Sequence, residues 1–123
     1  MKILLIEDDK FFQKFYFAKL QENKVEVEVA GDGEEGLVKM RATSPDLVLL
    51  DLIMPKMDGF AVLTARSQDE SLKKIPVIIF STLNQEKDIA QAQQLGANGY
   101  ISKGSFDFNN MVATVNQVMG TRS

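Results

Sequence analysis

Asp46-Leu47-Val48-Leu49-Leu50-Asp51-Leu52-Ile53-Met54-Pro55-Lys56-Met57-Asp58-Gly59 is the stretch on which the architecture of this chain turns. Leu47 to Leu50 is a continuous apolar run of strand length, the pattern of a strand covered on both faces of a parallel sheet. The run stops on a carboxylate, Asp51. Pro55 cannot continue a β-ladder, and Asp58-Gly59 can open a helix. In an open α/β sheet ligands gather beyond the carboxyl ends of the strands, so Asp51 is expected at that rim.

On either side of this stretch, short apolar runs alternate with segments of helical period. Lys2 to Ile6 reads as a first buried strand, followed by Glu7-Asp8-Asp9. A helix is predicted from about Lys10 to Glu22, with Phe11, Phe12, Phe15 and either Phe17 or Leu20 as its apolar face and Asn23 as its C-terminal cap. Val25 to Ala30 alternates Val and Glu, the period-2 signature of a strand with one wet face, hence an edge strand. Asp32-Gly33-Glu34-Glu35 resembles a capping box opening a helix to about Arg41, and Ser44-Pro45 leads into the central strand. After Gly59 a helix runs to about Gln68. Ile75 to Phe80 is the next buried strand, Ser81-Thr82-Leu83-Asn84 leads into a helix ended by Gly96, and Gly99 to Ser102 is a short fifth strand. A last helix from about Ser105 to Met119 carries Phe108, Met111, Val112, Val115, Val118 and Met119 at spacings of three and four.

Composition narrows the chemistry. A chain of 123 residues fits one domain, taken here as residues 1–123, with a core large enough to need no staples. It has no cysteine and no histidine, which removes disulfides, thiolate metal sites, the Cys nucleophile and the commonest general base. A net charge of -3 speaks against a nucleic-acid partner. No apolar run approaches the roughly 18 residues of a membrane span, and with a strand starting at Lys2 no signal peptide is expected. A cytoplasmic protein without membrane contact is the default.

Five strands, each followed by a helix, imply an α/β fold: a parallel sheet with helices on both faces and right-handed crossovers. The first, third and fourth strands are apolar throughout and belong in the middle, whereas the second alternates and the fifth is short. This is compatible with the order 2-1-3-4-5 known from flavodoxin-like, doubly wound sheets, although composition does not derive it. One rim would then gather Glu7 and Asp8 after the first strand, Asp51 after the third, Ser81 at the fourth and Lys103 after the fifth. Three carboxylates that close disfavour joint ionisation, so an empty site would show raised pKa values or lost stability. A hard divalent cation removes the conflict, and magnesium suits an oxygen-only pocket that also receives phosphate oxygens. Lys103 would add a point positive charge.

Ile3 to Asp9, Asp46 to Gly59, Pro76 to Ser81 and Tyr100 to Lys103, in that order and spacing, resemble the receiver domain of two-component response regulators, in its single-domain, chemotaxis-receiver-like form. The resemblance covers nearly the whole chain. It implies a phosphorylation-dependent signalling switch in which Asp51 accepts a phosphoryl group from a sensor histidine kinase or a histidine phosphotransfer protein. Glu7 and Asp8 match the acidic pair that binds Mg2+ together with Asp51, with the Ile53 carbonyl as a further ligand. Ser81 matches the switch hydroxyl, Tyr100 the switch aromatic and Lys103 the lysine that contacts the phosphoryl group. The resemblance also implies a downstream protein target, recognised through the surface of the fourth helix, fifth strand and fifth helix, and no resident organic cofactor.

Three positions depart from the common pattern of that family: Glu7 for aspartate, Ser81 for threonine and Gly104 for the usual proline. A cis Lys103-Gly104 bond would cost about 2.5 to 4 kcal/mol, so a trans bond, or a cis bond held by strain, is expected. Ile53 and Leu83 flank the site and are apolar. Neither can orient an attacking water, which predicts slow self-dephosphorylation. Each residue also has a structural reading: Asp51 as a turn former, Asp9 as the cap of the first helix, Ser81 as a turn residue with Thr82 capping the fourth helix, Tyr100 as a half-buried sheet residue and Lys103 as a surface charge. The Phe-rich first helix and the Met and Val stripe of the last read as core. Two other classes remain in view, a constitutive interaction module of the same fold, and an enzyme or flavin carrier. An aspartate-nucleophile phosphatase would carry a second acid two residues after Asp51, where Ile53 stands, and a flavodoxin would have a hydroxyl-rich and Gly-rich phosphate loop where Glu7-Asp8-Asp9 stand.

Overall fold

The structure, a computed structural model, describes residues 1–83, 85–103 and 108–120, with no side chain described at 108 or 112. Expectations for Asn84, for the Lys103-Gly104 peptide, for a helix start at Ser105, for the Phe108 and Val112 side chains and for the tail beyond Gly120 lie outside the described residues. Ten elements follow one another: β1 (Lys2–Ile6), α1 (Lys10–Glu22), β2 (Glu26–Ala30), α2 (Gly33–Thr43), β3 (Leu47–Leu50), α3 (Gly59–Ser67), β4 (Val77–Ser81), α4 (Glu86–Gln94), β5 (Gly99–Ser102) and α5 (Phe108–Gly120). All strand pairs are parallel and the order is β2-β1-β3-β4-β5. The two outer strands are the alternating one and the short one, as their composition implies.

Because side chains alternate along each strand, the sheet divides its apolar residues between two layers. Leu4, Ile6, Val48, Leu50, Val77 and Ile79 face one layer with Leu37, Met40, Val62, Leu63 and Ala92 from α2, α3 and α4. Ile3, Leu5, Leu47, Leu49, Ile78 and Phe80 face the other with Tyr16 and Leu20 from α1 and Met111, Val115 and Val118 from α5. Every residue of β3 is buried, which is what its unbroken apolar run requires.

The helix ends follow local chemistry. Asp9 accepts from the amides of Phe11 and Phe12, and Asp58 from that of Ala61. Asp32 accepts from Glu35 N, while the Glu35 carboxylate returns to Gly31 N, one residue outside the usual capping box. Gly96 follows α4 with φ +101°, a left-handed conformation that glycine adopts without a steric cost. Three boundaries differ from expectation. Val25 N is taken by Leu20 O at the end of α1, so β2 begins at Glu26. Ile75 N bonds Leu72 O and Pro76 has no N–H, so β4 begins at Val77. Thr82 does not cap α4, whose N-cap is Gln85, without a side-chain bond.

The Phe-rich face of α1 is a larger correction. Phe11 is 69% exposed and Phe15 also lies in solvent, whereas Tyr16 and Leu20 are buried and Phe12 is half-buried. The buried stripe is 12, 16 and 20 at four-residue spacing, and 11 and 15 fall about 100° away from it. On α5, Met111, Val115 and Val118 are buried as the spacing predicts.

Candidate functional site

The carboxyl ends of β1, β3, β4 and β5 form one rim, and the backbone fixes what stands on it. Glu7 N continues the β1 ladder by donating to Ala30 O at 3.0 Å, and Asp51 N ties the end of β3 to Ile6 O at 3.1 Å. Behind Asp51 the chain makes a tight turn in which Met57 N bonds Pro55 O at 2.7 Å across Lys56, whose φ is +65°. α3 then starts directly against the strand end. A Cβ on Gly59 would meet the Asp51 carbonyl oxygen and lie 2.7 Å from Leu52 Cα, so no larger residue fits without moving the backbone that carries Asp51.

Glu7, Asp8 and Asp51 present carboxylate oxygens that all lie within 4.8 Å of one another. Glu7 is 0% exposed and Asp51 nearly so, while Asp8 stands at the solvent side. Lys103 reaches into this group. Its ammonium donates to Glu7 Oε1 and, at 3.2 Å, to Asp51 Oδ2, and its side chain is 5% exposed. Burial, and after it the neighbouring Asp51 carboxylate, hold the Glu7 carboxyl up at about 8 against the opposing charge of Lys103. That is the conflict expected of clustered acids, with one proton relieving it. Among the described residues, Glu7 Oε2 is buried with no hydrogen-bond partner. An orphaned oxygen beside two further carboxylates, all hard oxygen donors, fits a divalent cation, and the cluster is capable of coordinating one.

The remaining expected residues occupy the same rim with different neighbours. Ile53 N donates to Asp51 Oδ1 at 3.3 Å, and the Ile53 side chain is 52% exposed. Ser81 is buried, with its hydroxyl accepting from Leu83 N at 3.2 Å. Tyr100 is half-buried on the α3/α4 face and donates from its hydroxyl to Leu83 O. Leu83 therefore joins Ser81 to Tyr100 through its own amide and carbonyl. Burial, with the charges of Asp88 and Asp51, pushes the Tyr100 hydroxyl pKa upward.

Several neighbours of the site escaped the sequence reading. The Lys103 ammonium lies 4.5 Å from the ring centroid of Phe12 and 5.2 Å from that of Phe80. Tyr16 packs edge-on against Phe80, and its hydroxyl pKa is pushed upward by burial and by the Glu7 and Asp51 charges. Gln13 donates from its side chain to Glu7 O. At the opposite end of β4, buried Arg66 donates to Ile75 O at 2.9 Å, Gly96 O at 3.3 Å and Asn98 Oδ1 at 3.4 Å. The four-residue spacing of Phe12 and Tyr16 was a usable signal. Nothing in the sequence around Arg66 announces its burial.

With this geometry in place, residues 3–116 match the response regulator receiver domain. The chain belongs to that family. This receiver domain is 31% identical over 118 residues to Protein PilH of Pseudomonas aeruginosa, the match covering 96% of the chain and 97% of PilH. It is 35% identical over 118 residues to the DNA-binding dual master transcriptional regulator RpaA of Synechocystis, covering 96% of the chain but only 48% of that longer protein. In three dimensions it resembles the Francisella response regulator 1452 receiver domain with a TM-score of 0.90, at 28% identity and with 99% and 98% of the two chains covered. The receiver domain's function is that of a phosphoacceptor in signalling, and no helix among its described residues is long and apolar enough to cross a membrane.

Proposed function

We propose that Asp51 is the phosphoryl acceptor, that Mg2+ is the cation held by Glu7, Asp8 and Asp51 with the Ile53 carbonyl, and that Lys103 neutralises charge on the incoming group. The observation that carries this reading is the three carboxylates within 4.8 Å, with Lys103 bonded to Asp51 Oδ2 in the same pocket. An Asp51 carboxylate oxygen forms the new O–P bond as the bond from phosphorus to the donor breaks, and the donor leaves with the electron pair. The donor is a phosphohistidine of a sensor kinase or phosphotransfer protein in the cytoplasm, as family membership suggests. Such transfer asks for alignment and charge neutralisation more than for covalent work by the protein. Bound magnesium supplies a Lewis acid at the phosphoryl oxygens.

The product adds up to about two negative charges and three acceptor oxygens at the rim. Ser81 answers by donating its hydroxyl, and Leu83, bonded to it through N, follows. Tyr100 loses its seat on Leu83 O and repacks, changing the α4, β5 and α5 surface offered to a downstream protein target. Ile53 and Leu83 offer no polar side chain to a hydrolytic water, so the phosphoryl group is lost slowly. Incubation with a small acyl-phosphate donor and magnesium tests the proposal: the wild-type chain gains one phosphate, and Asp51→Asn gains none. Equal labelling of both would refute it.

A further inference from the structure

Lys103 is gripped from two sides of different chemistry. On one side its ammonium donates to Glu7 and Asp51, and on the other it lies over the rings of Phe12 and Phe80 at 4.5 and 5.2 Å. The side chain is 5% exposed, so the cation meets these π-faces with little intervening solvent, the setting in which cation–π attraction is strongest. The rings are themselves held. Phe12 stacks on Tyr16 with centroids 5.8 Å apart and planes 11° from parallel, and Tyr16 meets Phe80 edge to face at 4.3 Å and 88°.

The two grips differ in what they leave available. Glu7 and Asp51, whose carboxylates hold the ammonium, are two of the three acids that a divalent cation would engage, and such a cation would also repel Lys103. A lysine side chain has four flexible carbons and, released from the acids, would swing out of the rim unless something else retained it. The ring faces do so without competing. They accept no proton, offer no ligand to a hard cation and leave the ammonium uncompensated, facing the place where phosphoryl oxygens arrive. A leucine would fill the same space but present no negative face.

We propose that Phe12, braced through Tyr16 against Phe80, is a positioning residue that keeps the Lys103 ammonium at Asp51 when the carboxylates are engaged by a cation. The inference rests on the phosphoacceptor reading of Asp51 and adds α1 to the parts that set the transfer rate. It separates the two faces of that helix: Phe11 and Phe15 face solvent, and Phe12 faces the chemistry.

The test uses the full chain, Mg2+ and a small acyl phosphate. Because they lie beside the rings, the ε-methylene protons of Lys103 in the wild type should resonate upfield of those of the other lysines, with and without Mg2+. In Phe12→Leu they should move toward the ordinary lysine position, and phosphorylation should slow roughly tenfold. Phe12→Tyr, which keeps the ring face, should restore both the resonance and the rate. The proposal is overturned if the wild-type Lys103 protons sit at the ordinary position. It is equally overturned if Phe12→Leu transfers phosphate within twofold of wild type, or slows without moving that resonance. Should Phe12→Leu fail to fold, the wild-type spectrum and the Tyr variant decide. Failure of the underlying reading looks different: the wild type then gains no phosphate at Asp51, whatever its spectrum.

Discussion

Replacing Glu7 by Gln removes a carboxyl that burial and Asp51 together push from its ordinary 4.5 to about 8. The unfolded chain carries this glutamate ionised at neutral pH, whereas the cation-free folded chain keeps it protonated up to about pH 8. Between those two values the native state binds more protons than the unfolded one, so stability falls as pH rises and levels off above the folded pKa. At about 1.36 kcal/mol per unit, the loss between pH 5 and 7.5 is on the order of 3 kcal/mol, and Glu7 is fully buried, so solvent screening does not diminish it. Urea unfolding from pH 5 to 8.5 in a chelator measures it: the wild-type midpoint should drop relative to that of Glu7→Gln, whose amide is neutral throughout. Saturating magnesium should reverse the trend in the wild type, because a cation needs the ionised carboxylate and its stabilisation grows as the proton leaves. A wild-type midpoint that is flat over this range, or one whose slope the Gln variant shares, would refute the electrostatic account of the pocket.

Two further expectations concern the frame that carries the site. Gly59→Ala should cost about 1 to 3 kcal/mol in urea unfolding, since its Cβ meets backbone atoms of Asp51 and Leu52 that no rotamer change can move; an unchanged midpoint would show that the start of α3 is free to shift. Arg66→Met should cost about 3 kcal/mol by leaving the Ile75 and Gly96 carbonyls without their donor, while Asn98 Oδ1 keeps Val77 N, with no loss of phosphate uptake by the fraction that remains folded. Loss of uptake with stability unchanged would place Arg66 in the site's machinery instead.

What the sequence disclosed, it disclosed through period and punctuation. The unbroken Leu47–Leu50 run and the Val–Glu alternation before Ala30 carry burial on two faces and on one, and so separate a central strand from an edge. The acids and the lysine were legible because each stands just after an apolar run, where a parallel sheet brings strand ends together. Periodicity was weaker on α1, where aromatic residues fill several faces and the tyrosine's hydroxyl disguised a core residue. There the winning face was set by fit against Phe80 and Lys103, residues from β4 and from the end of β5 far away in the chain. Arg66 was hidden for a related reason, since its partners are two backbone carbonyls and one amide side chain, and backbone acceptors leave no mark in a sequence.

The alternation of the strands also bears on how chemistry and response are divided. Glu7, Asp51 and Lys103 continue the odd-numbered series of Ile3, Leu5, Leu47, Leu49 and Ile101, which packs against α1 and α5. Ser81 continues the series of Val77 and Ile79, and with Tyr100 it belongs to the layer under α3 and α4. The proposed acceptor Asp51, with Glu7 and Lys103, thus sits above one layer of the fold, and the proposed response elements Ser81 and Tyr100 sit above the other. Within that second layer Leu83 is bonded to Ser81 by its amide and to Tyr100 by its carbonyl, a path of hydrogen bonds from the strand ends to the Tyr100 hydroxyl.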